Sequence, residues 1–204
     1  MNPKPFKNGI TEKITHHAFL IFSVFPLLLS AQFSVSATKH DYTSIAQEIT
    51  QGKETKYEQA KSIYQWICKN ISYDTSYRIY TADECWKHRR GVCQAYCELF
   101  YRLAEPLEIR TTIVVGKTKD FRGQIEGKGH SWLLVEVEDG CIFIDPTWGA
   151  GGMKDNKFQQ KENDLSWFHV DPYWMIFTHW PDDEQYQYLD TAIAWETFVQ
   201  LPVA

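Results

Sequence analysis

The stretch HSWLLVEVEDGCIFIDPTW (130–148) constrains this chain more than any other. Two runs rich in β-branched and aromatic residues flank Asp139-Gly140, a pair suited to a tight turn, so the sequence predicts two antiparallel neighbouring strands. Folding there brings His130, which opens the first strand, to the same end of the hairpin as Asp145, which closes the second. An imidazole and a carboxylate are thereby made hydrogen-bonding neighbours. A further strand is predicted over IRTTIVVGK (109–117), joined to the hairpin by the polar, Gly-containing loop TKDFRGQIEGKG.

The strands follow helices. In KYEQAKSIYQWICKNISYD (56–74), Ala60, Ile63, Tyr64, Ile67 and Ile71 recur at three- and four-residue steps, which gives one apolar helical face; a shorter helix is expected over 42–51. Val92, Tyr96, Leu99, Phe100 and Leu103 repeat the spacing, and Pro106 closes that helix. The chain thus reads as helices first and strands afterwards. The aromatic stretch WFHVDPYWMIFTHWPDDEQYQYL (167–189), broken by Pro172 and Pro181, reads as a short helix packed by its rings, a lid or flank on the core.

RRGVCQAYCELF (89–100) places Cys93 in the first turn of the third helix, directly behind Gly91-Val92. A helix N-terminus presents unpaired N–H groups and the positive end of the macrodipole, both of which favour thiolate over thiol. Gly91 permits close approach of a backbone or a substrate, and a first-turn N–H can receive a developing oxyanion. A thiolate nucleophile also needs a base and a group that fixes the base's tautomer. Taken singly, Cys93, His130 and Asp145 have ordinary explanations in helix packing, surface chemistry and turn chemistry. Together they predict a Cys-His-Asp catalytic triad.

The ends of the chain bear on where such chemistry occurs. Lys4, Lys7 and Lys13 precede the apolar run AFLIFSVFPLLLSA (18–31), and the small-residue site VSA ends at Ala37, the pattern of a signal peptide over residues 1–37. The run is too short to span a bilayer, so stable membrane insertion is not expected, and the expected location is periplasmic or extracellular. Residues 1–37 hold three Lys and one Glu, which leaves 18 basic against 25 acidic residues, net −7, and argues against nucleic acid as a partner. The remaining 38–204 is the length of one well-cored domain. Five cysteines in an exported chain leave at least one unpaired: Cys68, Cys85, Cys97 and Cys141 could form two bridges in three pairings or stay reduced.

GVCQAY around Cys93, GHSW around His130 and IDPTWGAGG around Asp145 resemble the transglutaminase-like cysteine superfamily. NISYDT and HVDPYWMIFTHWPDDEQYQYL narrow the resemblance to the kyphoscoliosis-peptidase-type branch, with its bacterial secreted members. The resemblance covers most of residues 56–190. It implies a papain-like α+β fold over 38–204, a nucleophile helix packed on an antiparallel sheet, with Cys93 as nucleophile, His130 as base and Asp145 as orienter. It further implies attack on a carboxamide or peptide carbonyl of a protein or peptide substrate and a thioester that passes to an amine or to water. The triad alone does not choose between them, and hydrolysis is slightly favoured because no sequence feature marks a water-excluding acceptor channel. Cys97 stands where a small residue is expected one turn after the nucleophile. Tyr73 is a candidate second oxyanion donor, and Trp132 and Trp148 are candidates for the cleft wall, with core packing the default for both tryptophans.

Two other readings compete. Cys85, His88, Cys93 and Cys97 could ligate a structural zinc, but their inner gap is far shorter than finger-type spacing and His130 and Asp145 would be idle. A catalytically silent module of the same fold could instead bind a protein or glycan through aromatic residues. Asp182-Asp183-Glu184 lacks the spaced oxygen ligands of a calcium loop, and neither a cofactor nor a metal is expected.

Overall fold

The computed structural model describes residues 40–155 and 157–203. The expected signal peptide lies outside the described residues. Helices α1 (Tyr42–Ile49) and α2 (Lys56–Asn70) lead into a two-residue strand β1 (Ser72–Tyr73), helix α3 (Ala82–His88), a matching strand β2 (Arg90–Gly91) and helix α4 (Cys93–Ala104). Strands β3 (Thr111–Thr118), β4 (His130–Val137) and β5 (Gly140–Ile144) follow, then helix α5 (Pro146–Ala150) and a hairpin of β6 (Gly151–Lys154) and β7 (Lys157–Gln160). The chain closes with β8 (Phe168–Val170), α6 (Pro172–Met175), β9 (His179–Pro181) and α7 (Trp195–Gln200).

Local chemistry accounts for the helix starts. Thr55 and Glu58 form a reciprocal capping box at the head of α2, satisfying two backbone N–H groups that the helix itself cannot. α2 then buries Ala60, Ile63, Tyr64 and Ile67, and α4 buries Ala95, Tyr96, Cys97, Leu99, Phe100 and Leu103. These residues form one core with Leu133, Val135, Ile142 and Ile144 of the sheet. α4 is the central helix, packed on α1, α2 and α3 and on strands β3 and β4.

The sheet has five strands in the order β8-β5-β4-β3-β9, all pairs antiparallel. Its other face buries Val114, Trp132, Leu134 and Phe143 with Met175. Segment 167–189 is therefore more than the expected lid or flank: it supplies both edge strands as well as the short helix α6. Strands of three residues are too short to show alternation, which is why the sequence pattern gave no sign of them.

The hairpin turn sits one residue earlier than the Asp139-Gly140 expectation. Val137 pairs with Gly140, leaving Glu138-Asp139 as the two-residue loop. The Glu138 carboxylate accepts the backbone N–H groups of Lys56 and Tyr57, so it caps the first turn of α2 and fixes the loop against it. The turn shift leaves the main expectation intact, since His130 and Asp145 still lie at the same end of the β4-β5 ladder.

Candidate active site

Cys93 opens α4 behind Val92, an extended N-cap residue that offers no side-chain acceptor. The N-cap side chain thus takes none of the first-turn N–H groups. Gly91 matters for packing rather than for substrate approach: a methyl there would meet Ala95 Cβ at 2.7 Å and Cys85 Sγ at 3.1 Å. β1 and β2 pair in parallel, Tyr73 opposite Gly91, and Asp74 N–H donates to Gly91 O at 2.8 Å. This places Tyr73 beside Cys93. Burial raises the Tyr73 phenol pKa, and the negative Cys93 adds to the rise. Tyr77 meets the Tyr73 ring edge-on and carries the Lys128 ammonium 3.3 Å from its own ring centroid, which ties the loop before His130 to this wall of the site.

His130 Nε2 lies 2.7 Å from Asp145 Oδ2. Its other ring nitrogen remains for Cys93, whose thiolate form is favoured by His130 and by the Ser131 backbone N–H. Asp145 caps α5: Oδ1 accepts from the backbone N–H of Thr147 at 2.8 Å and of Trp148 at 3.1 Å. Oδ2 takes a second imidazole, His179 Nε2, at 3.2 Å. A fully buried carboxylate is ordinarily driven neutral. Here burial is outweighed by His130 and His179, and the Asp145 pKa is held below the usual carboxylate range.

The same balance sets the thiol and the base. Burial alone would lower the His130 pKa, but the Asp145 carboxylate and the Cys93 sulfur lift it to about 10. Burial alone would raise the Cys93 pKa, but His130 and the Ser131 N–H bring it below an ordinary thiol. Both shifts favour the charged forms, thiolate at Cys93 and imidazolium at His130. The other cysteines go the opposite way: burial pushes Cys85 up to about 12 and raises Cys68, Cys97 and Cys141. All five thiols are unpaired, so none of the three pairings is present and the cysteines are reduced.

Trp132 is 1% exposed and packs under His130, so it does not line a cleft surface. Trp148 is half-buried, 5.7 Å from the His130 ring and edge-on to Trp167, and flanks the site. His179 was not singled out in the sequence. It sits in β9, and only the pairing of that strand with β3 carries it to Asp145.

Among the described residues, the metal-donor groups that gather in a trio within 4.8 Å are His130, Asp145 and His179; Cys85, His88, Cys93 and Cys97 form no such group. Asp145 Oδ2 already accepts an N–H from each imidazole, so an ion would have to displace both protons to bind there. The trio is satisfied by its own hydrogen bonds.

A cysteine at the head of a central helix, facing a His–Asp pair at the end of an antiparallel sheet, defines the papain-like α+β class of thiol-bearing folds. Within that class, the family model of the transglutaminase-like superfamily matches residues 43–172, and the chain belongs to that superfamily. It is 25% identical over 175 residues to kyphoscoliosis peptidase of Mus musculus, covering 79% of this chain and 26% of that protein. It is 26% identical over 165 residues to kyphoscoliosis peptidase of Homo sapiens, covering 74% and 25%. The chain thus spans about a quarter of the length of these relatives. A crystal structure of a TGase overlaps 64% of this chain and 35% of that one at 16% identity, with a TM-score of 0.40. Among the described residues no helix is long and apolar enough to cross a membrane.

Proposed function

We propose that this protein is a thiol-dependent enzyme acting on amide bonds of a protein or peptide substrate, with Cys93 as nucleophile, His130 as acid–base and Asp145 as orienter. The observation that carries the reading is the buried 2.7 Å His130–Asp145 bond, with His130 also favouring the thiolate form of Cys93. The Cys93 thiolate attacks the carbonyl carbon and forms the C–S bond. The oxyanion lies against the first-turn N–H of α4, with the Tyr73 hydroxyl as its second donor. His130 gives its proton to the leaving nitrogen, the C–N bond breaks, and a thioester remains. His130 then takes a proton from the incoming water or amine, which attacks the thioester and releases Cys93.

Hydrolysis is favoured over transfer, a choice supported by the peptidase names of the relatives. The reading includes export through residues 1–37, action of the 38–204 domain in the periplasm or outside the cell, and membership of a bacterial secreted branch of the superfamily. The test is iodoacetamide labelling of the purified chain from pH 5 to 9, with each cysteine mapped by mass spectrometry. Fast labelling of Cys93 near pH 6, lost in His130→Ala, is the expected result. An ordinary thiol profile at Cys93 would remove the nucleophile and leave a binding module of the same fold.

A further inference from the structure

The Asp145 carboxylate is shared between two imidazoles, and the second is held as deliberately as the first. β9 reaches Asp145 because Gly116 of β3 has no side chain: a methyl there would lie 1.9 Å from Trp180 O and 2.8 Å from Pro181 Cα. With β9 seated, His179 pairs with Thr118 and turns its ring inward, 1% exposed, among Trp132, Trp148 and Trp167 at centroid distances of 5.0, 4.6 and 5.2 Å. The titratable groups that face it are Asp145 and His130. Thr178 Oγ1 lies 2.8 Å from His179 Nδ1.

The protonation of the ring follows from its partners. Burial, aided by the like charge of His130 and opposed by Asp145, pushes the His179 pKa down to about 4, so the ring is neutral and carries a single N–H. A carboxylate only accepts, so that proton is on Nε2. Nδ1 is then free to accept from the Thr178 hydroxyl at 2.8 Å, a closer partner than the Met175 carbonyl that the same hydroxyl reaches at 3.4 Å.

We propose that His179 is a positioning residue of the site: a neutral, Nε2-protonated imidazole that holds Asp145 Oδ2 and keeps its charge available to His130, extending the triad to a four-membered chain Cys93–His130–Asp145–His179. Two backbone N–H groups on Oδ1 and two ring N–H groups on Oδ2 give the buried carboxylate four donors. A carboxylate so saturated does not take the proton of His130. Removal of one donor makes it more basic, so it protonates at higher pH, and the imidazolium then loses its counter-ion. The inference rests on the thiol reading above, because the ion pair is what His179 supports.

The test compares pH profiles of Cys93 alkylation, from pH 4 to 9, in the wild type, His179→Phe and His179→Gln, with the fold of each checked by circular dichroism. In His179→Phe the acid limb should move up by about one pH unit and the plateau rate should fall about tenfold, the equivalent of one weakened charge-assisted bond. His179→Gln should restore the wild-type profile, because its amide N–H reaches the Nε2 position. A folded His179→Phe with the wild-type profile, or a His179→Gln as impaired as the Phe variant, would overturn the positioning role alone. Absence of low-pH reactivity in the wild type would overturn the thiol reading and this role with it. A 15N spectrum of the wild-type histidines needs no variant: His179 should stay neutral with its proton on Nε2 from pH 5 to 8. Titration of His179 in that range, or a proton on Nδ1, would overturn the inference.

Discussion

His130 and Asp145 are separated by 15 positions in the sequence, yet Nε2 and Oδ2 stand 2.7 Å apart, both side chains almost wholly buried. The β4-β5 ladder makes the meeting obligatory: Leu133 pairs with Ile144, so continuing that register sets Asp145 opposite Trp132, and His130 shares the Trp132 face two residues along. The proposed chemistry at Cys93 therefore depends on sheet register as much as on the three side chains.

Replacement of Asp145 by Asn tests the charge at nearly constant shape. The carboxylate takes four donors, whereas an amide has one acceptor oxygen and a donating nitrogen. Whichever way the amide turns, its NH2 group faces two N–H groups. Asp145→Asn should lower activity by roughly a hundred- to ten-thousandfold, less than loss of Cys93, and destabilise the fold by about 1–3 kcal/mol for each donor left unpaired. Steady-state rates and urea unfolding measure both. A variant with near-wild-type activity would mean that His130 does not need the negative charge.

How much of this was legible in the sequence depended on the length over which each signal runs. α2 and α4 announce themselves through apolar residues at helical spacing, and Cys93, His130 and Asp145 through their positions at element ends. His179 could not be found that way, since β9 is three residues long and its register against β3 is set by the close approach at Gly116. The loop at Glu138-Asp139 was misplaced by one residue because its determinant is the distant N-terminus of α2, which Glu138 caps. Trp132 and Trp148 could not be sorted into core and flank by type alone; strand alternation buries the first, and the first turn of α5 leaves the second half-covered.

Gly149 tests how α5 is seated beneath Asp145. A methyl at this position would lie 1.9 Å from Tyr64 Oη and 3.2 Å from Cys68 Sγ, and Tyr64 is fully buried with its hydroxyl donating to Asp164 O at 3.0 Å. Gly149→Ala must push Tyr64 or α5 aside, at a cost of about 1–3 kcal/mol. Because α5 begins at Asp145, a shift of its first turn should also slow Cys93 alkylation. Urea unfolding with unchanged stability would show that the helix moves freely.

Lys119 is wholly buried, with its ammonium donating to Phe198 O and Leu201 O and lying 4.4 Å from the Phe198 ring centroid. The charge adds a donor at the C-terminal end of α7, where Phe198 O accepts one backbone N–H, that of Leu201. Lys119→Met keeps the length and removes both bonds. It should destabilise the protein by about 1–3 kcal/mol and speed proteolytic trimming of the segment after Asp190. A more stable Met variant would show that burial of the ammonium costs more than its two bonds return.

Asp74 sets a pH dependence of stability that is separate from catalysis. Its side chain is 1% exposed and accepts from Ser76 N–H and Oγ, Arg78 N–H and Ile79 N–H, with Arg90 Nε at 3.6 Å. Burial alone would raise its pKa, but the bonds from Ser76, Arg78 and Ile79 outweigh it and bring the value down to about 2, from 3.8 in the unfolded chain. A depressed folded-state pKa means that the stabilisation is complete above the unfolded value and is lost as pH falls through the folded one. The window is therefore about pH 4 to 2, and the contribution at neutral pH is about 2 kcal/mol. Asp74→Asn should cost that amount at pH 7, and its deficit relative to the wild type should shrink as pH drops through the window. Urea midpoints at pH 7, 5, 3 and 2 decide the matter: a deficit that is the same at every pH would assign the loss to broken loop geometry rather than to the charge.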